Sequence, residues 1–148
     1  MNFDSVNITF GDFNYVGYPV ISLPKEAAEL AICSLLKELV FSLRNKSLQD
    51  HLGGLDYIYL ESAAKSFQSN QLQGDVPLAV QMWADLKERS VIDSVSDILN
   101  VCTMLREIFS AAAAIQIKGV ERVRSAGTVE GMVLAAREVE SQLKDIRW

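Results

Sequence analysis

The spacing of apolar side chains changes once along this chain, at Pro24, and no other feature constrains the fold as tightly. Before that point Val6, Ile8 and Phe10 alternate with Asn7 and Thr9, and Phe13, Tyr15 and Val16 follow the pair Gly11-Asp12. Period-two spacing on both sides of Gly-Asp predicts a β-hairpin, with Gly11 supplying the positive φ of a type II′ turn. Gly17 and Pro19 are expected to break the second arm, and Val20, Ile21 and Leu23 read as a further extended segment. Phe3, Phe10, Phe13, Tyr15 and Tyr18 are half of the chain's Phe and Tyr residues, all within the first 23 positions. A lone two-stranded ribbon is marginal in water. This one must therefore lie on the helical body or on another chain.

From Pro24 onward the apolar residues recur at three and four. Leu30, Ile32, Leu35, Leu36, Leu39, Val40 and Leu43 cover most of a helix circumference, which predicts a central helix over 24–45 buried on two sides. Asn45 and Lys46 are read as its end, and Ser47 with Asp50 as the cap of a short turn stopping at Gly53-Gly54. Asp56 is placed to cap a helix over 56–70 carrying Tyr57, Leu60, Ala64 and Phe67. After a polar loop, Asp75 is read as the cap of a helix opened by Val76-Pro77. Val80, Trp83 and Leu86, with Ala79 and Met82, form its expected inner face. Ser90 with Asp93 either restarts a helix or sits inside a continuing one. Val91, Val95, Ile98, Cys102, Leu105, Phe109 and Ala112 then make a heptad-like seam. Gly119 and Gly127 punctuate the chain beyond the seam, and Thr128 caps a last helix with the stripe Val129, Val133, Ala136, Val139, Leu143 and Ile146. The reading is a mainly α single domain over 1–148. It has a β arm at 1–23, a short hairpin or extended arm, and a helical body at 24–148 made as a bundle of four to six helices.

Chemistry leaves little trace. One histidine and two cysteines exclude the usual zinc ligand sets, and the Glu-x-x-His pairs of di-iron bundles are absent. His51, in a short polar turn, reads as a surface or capping residue, and Asp93 with Asp97 as a solvated helix face. Gly53-Gly54 is followed by Leu55-Asp56, whose carboxylate would repel a phosphate. The pattern names no catalytic residue, no metal ligand and no cofactor, so a non-enzymatic protein is expected. The net charge of −5 speaks against nucleic acid and anionic membranes, and the basic trio Lys118, Arg122 and Arg124 has no interleaved aromatic residue. Met1–Asp12 is polar and acidic, unlike a secretory leader. Lys37 and Glu38 interrupt the apolar run Ala27–Leu43, and Ile108–Ile117 is too short to span a bilayer. The chain is expected in the cytoplasm, or in a particle assembled there, with Cys33 and Cys102 as buried free thiols.

What remains is surface for partners. The helical stripes and the aromatic arm exceed what a chain of 148 residues needs for one core. The first expectation is a protein–protein interaction or assembly subunit, either a homo-oligomer or one of several subunits in a larger particle such as a virus or phage. Phe10, Phe13, Tyr15 and Tyr18 would pair across subunits, and Val95, Ile98, Leu105 and Phe109 would pack between helices. The alternative is a regulatory helical domain that binds a small molecule in a pocket lined by Trp83, Tyr57 and Tyr59.

Overall fold

A computed structural model describes all residues, 1–148. The chain is 72% helical and carries five helices behind a two-stranded antiparallel hairpin. The strands are β1 (Val6–Phe10) and β2 (Phe13–Tyr18). A 3-10 turn at Val20–Ser22 leads into α1 (Lys25–Leu52), α2 (Tyr57–Ser69), α3 (Leu78–Lys87), α4 (Val91–Ser125) and α5 (Val129–Asp145). Two compact units result, one from Met1–Arg44 with Phe109–Trp148 and the other from Asn45–Ile108. Both boundaries fall inside continuous helices, α1 and α4.

In the first unit the hairpin turns where expected. Gly11 has φ +57° and Asp12 keeps a negative φ, the combination a type II′ turn requires. Ile8 pairs with Tyr15 and Phe10 with Phe13 on one face, while Asn7 with Val16 and Thr9 with Asn14 occupy the other. Gly17 does not end the second strand. It takes φ +72° and forms a bulge opposite the Val6/Asn7 step, its N–H donating to Asn7 Oδ1 at 2.9 Å. The segment after Pro19 is a turn of 3-10 helix rather than a third extended piece, with Val20 fully buried and its N–H donating to the Phe3 carbonyl. Ile8, Phe10 and Tyr15 pack on a core built from Ala27, Ile32 and Leu36 of α1, Ala112 and Val123 of α4, and Met132, Ala136 and Leu143 of α5. The ribbon is thus held by its own chain.

In the second unit α1 runs on to Leu52, seven residues past its expected end. Asn45 and Lys46 only weaken a helix, whereas Gly53 (φ +59°) and Gly54 (φ +88°) are the first residues that take the left-handed conformation of a stop. Ser47 is consequently a mid-helix residue, buried and with its hydroxyl unpartnered, and caps nothing. Asp56 does cap α2, accepting from the Tyr59 N–H at 2.7 Å. Asp75 does not cap α3. A residue before proline is pushed out of the helical region, so Val76 stays outside, Pro77 holds the cap position and the helix opens at Leu78 without a side-chain cap. α3 stops at Glu88 (φ +52°), and Ser90 starts α4 by accepting the Asp93 N–H while donating to the Asp93 carboxylate. The chain therefore breaks between α3 and α4.

Gly119 does not punctuate; it lies buried inside α4. Thr128 caps α5, accepting from the Gly131 N–H at 3.1 Å.

Candidate interaction surface

Four of the arm's five aromatic residues, Phe10, Phe13, Tyr15 and Tyr18, lie in one row on the apolar face of the hairpin. The rings of Tyr15 and Tyr18 meet edge to face at 5.5 Å, and those of Phe13 and Tyr15 stand tilted at 6.4 Å. The inner half of the row, Phe10 and Tyr15, is half-buried on the first unit's core; Phe13 (68% exposed) and Tyr18 (46%) stand in solvent. The seam residues differ. Val95, Ile98 and Leu105 are buried within their own unit. Their apolar surface is already removed from water, and no face of them is left for a partner. Phe109 is half-buried, with the Arg44 guanidinium 4.6 Å from its ring centre.

An apolar surface that periodicity did not reveal lies on α3. Ala79, Val80, Trp83 and Ala84 are buried, yet Met82 and Leu86, expected on the inner face, point outward together with Leu78. These three recur every four residues and are 68%, 47% and 57% exposed in the order Leu78, Met82 and Leu86. At 100° per residue, apolar side chains wrap roughly two thirds of this helix. The signal was in the sequence: a ten-residue helix with seven apolar positions has more than one face to cover.

α4 is also more apolar than its segments suggested. The ten-residue run Ile108–Ile117 is embedded in a 35-residue helix whose most apolar window has a mean hydropathy of 1.5, long and apolar enough to cross a membrane. Arg106 and Glu107 hid this by splitting the run. Only 22% of that window is buried.

The residues considered for chemistry serve the fold. His51 is half-buried in the last turn of α1. Asp97 accepts the indole N–H of Trp83 at 3.0 Å and pairs with Arg89 at 3.2 Å, while Asp93 closes the cap of α4. Both cysteines are free and buried, and burial raises both thiols, Cys102 to about 11, so neither is a ready nucleophile. No cluster of three or more His, Cys, Asp or Glu side chains could hold a metal ion. Trp83 is fully enclosed, the Tyr57 hydroxyl donates to the Cys102 carbonyl at 3.1 Å, and Tyr59 is 59% exposed, so the three do not line one pocket. Of the basic trio, Arg122 pairs with Glu138, and Arg124 with Glu121 at 3.2 Å and Glu29 at 3.7 Å.

Two carboxylates carry ion-pair networks with a pH signature. Burial works to raise Glu140, but hydrogen bonds from the Met1 ammonium and from Lys144 at 2.9 Å outweigh it and hold the carboxyl below its ordinary 4.5. Glu61 is likewise lowered, by Lys65 at 2.6 Å and by Arg106. A depressed folded-state value means that the stability is fully present above the ordinary value and is lost as pH falls through the folded one. Urea melts should accordingly weaken below about pH 4.5, and the Glu140→Gln and Glu61→Gln proteins should each show a flatter acid limb than the parent. Superimposable acid limbs would mean these networks contribute nothing.

Comparison of the chain with protein-family models, with curated proteins and with solved structures gives no match. The class defined by fold and surface is a helical protein whose apolar side chains outrun its own cores.

Proposed function

We propose that this protein is a non-catalytic assembly subunit that works by joining protein surfaces, copies of itself or other subunits of a larger particle such as a viral or phage structural component. Its place would be the cytoplasm, or a particle assembled there. The observation that carries this reading is the ridge Leu78, Met82 and Leu86 on α3, three large apolar side chains exposed on one short helix whose adjoining face is already buried. Isolated exposed leucines are ordinary, but an aligned row on an otherwise buried helix marks a contact surface. The two exposed ends of the aromatic row, Phe13 and Tyr18, support the same reading from a second element.

Sedimentation of the full chain tests it. The parent should show concentration-dependent association above its 16.4 kDa mass, extending past a dimer. A Met82→Glu/Leu86→Glu protein with unchanged circular dichroism should lose the species larger than a dimer. A parent that stays monomeric at about 50 μM, well above the Kd of typical stable assemblies, and recovers no partner from its source overturns the proposal.

A further inference from the structure

We infer that two copies of this chain pair through the outer stripe of α5, antiparallel, about a two-fold axis passing between Val133 and Leu134. The inference rests on the self-association reading above and names the surface that begins it. Leu134 is 61% exposed, and Ile21, from the 3-10 turn packed on α5, is 50% exposed. With Glu130, Val133 and Arg137 they line a shallow hollow of about 270 Å³. Positions 130, 133, 134 and 137 fall within an arc of about 100° and so form one stripe.

The charges flanking this apolar centre set it apart from the other exposed patches. Glu138, Glu140 and Lys144 of the same helix are paired within the chain. Glu130 and Arg137 have no ion-pair partner there. They are two turns apart, about 10 Å along the axis, with the midpoint between Val133 and Leu134. A two-fold axis at that midpoint sets Glu130 of each copy opposite Arg137 of the other and packs Leu134 against Val133 of its mate. Ser141, the next position of the stripe toward the C-terminal end, is small and exposed, so no bulky side chain there holds the helices apart. The Arg137 guanidinium lies 5.9 Å from the ring centre of the buried Phe3, which orients it before any partner arrives. A foreign partner would have to carry the opposite charges at this spacing, whereas a second copy carries them by symmetry.

The patch is small beside a standard interface, so a dissociation constant on the order of ten micromolar is expected. Sedimentation velocity from about 1 to about 200 μM brackets that value, with circular dichroism as the folding control. Leu134→Asp placed in the Met82→Glu/Leu86→Glu protein, which keeps only the α5 contact, should leave a monomer. Glu130→Arg or Arg137→Glu alone replaces two attractive contacts by two repulsive ones and should weaken pairing at least about tenfold. Mixing the two single variants in equal amounts should restore a heterodimer, and the double variant E130R/R137E should dimerise as the parent does. A parent monomeric throughout overturns this inference, and the assembly reading falls with it only if the chain also recovers no partner from its source. A parent that associates equally well with Leu134→Asp overturns the α5 contact alone. Weakened single variants that mixing does not rescue overturn the antiparallel pairing.

Discussion

Replacing Gly119 by alanine will destabilise the first unit by about 2–3 kcal/mol, against the usual gain of about 1 kcal/mol for glycine to alanine inside a helix. A Cβ at position 119 would fall 2.3 Å from Val139 Cγ2, 3.1 Å from Cγ1 and 3.3 Å from the Val139 Cβ. Contact at all three atoms means that no χ1 rotation of a β-branched side chain clears the way, and Val139 is itself 1% exposed and packed in the core. α4 and α5 must move apart or Val139 must leave its rotamer. The double variant Gly119→Ala/Val139→Ala removes both methyls in the way and lets the new Cβ fill part of the vacated space. It should therefore be more stable than the two single losses added together, a coupling readable from urea midpoints. A Gly119→Ala protein as stable as the parent would show that these helices do not touch at this point.

Gly119 also shows how far the sequence could be read. As punctuation, a glycine flanked by Lys118 and Val120 is ambiguous, because the pattern that ends a helix and the pattern that lets a second helix approach share the same residue. Only the position of Val139, twenty residues on, decides between them, and that is a tertiary fact. The hairpin turn and the caps at Asp56 and Thr128 were legible because each depends on residues three or four apart, whereas Ser90 with Asp93 fits a restarted helix and a continuing one equally well. The run of α1 past Asn45 was not, since polar residues inside a helix that is leaving a core look like its end. The unit boundaries at Arg44/Asn45 and Ile108/Phe109 are invisible for a related reason: each lies within one continuous helix and needs no linker.

The surface was half legible. Excess apolar residues were plain from the spacing, and the aromatic arm was correctly located, but which stripe stays exposed depends on what the other elements cover. The seam from Val95 to Leu105 had the pattern of a partner interface and is consumed inside its own unit, while α3, short and unremarkable by periodicity, keeps Leu78, Met82 and Leu86 in solvent. Heptad spacing reports that a helix has a mate and says nothing about whether the mate belongs to the same chain.

Trp83→Ala should have the largest effect of any single substitution, about 3–5 kcal/mol, because it empties the space of the largest fully buried side chain in the second unit. The ring does more than fill space. Its indole N–H donates to Asp97 Oδ2 at 3.0 Å, the other carboxylate oxygen takes Arg89 at 3.2 Å, and the Lys87 ammonium sits 5.0 Å from the ring centre. The bond links α3 to α4 across the break at Ser90, so the two short-range caps there are reinforced by a long-range one. Trp83→Phe keeps most of the apolar volume and loses the donor, while Asp97 retains Arg89 and stays satisfied, so the cost should be smaller, about 1–2 kcal/mol. Asp97→Ala leaves the indole N–H buried without an acceptor and should cost about 1–3 kcal/mol. If the bond is what couples them, Trp83→Phe/Asp97→Ala will be less destabilised than the sum of its parts, since the second change removes a partner already lost. Strict additivity in urea titrations would mean that tryptophan is there for its bulk alone, and that α3 is held to α4 by packing without the polar link.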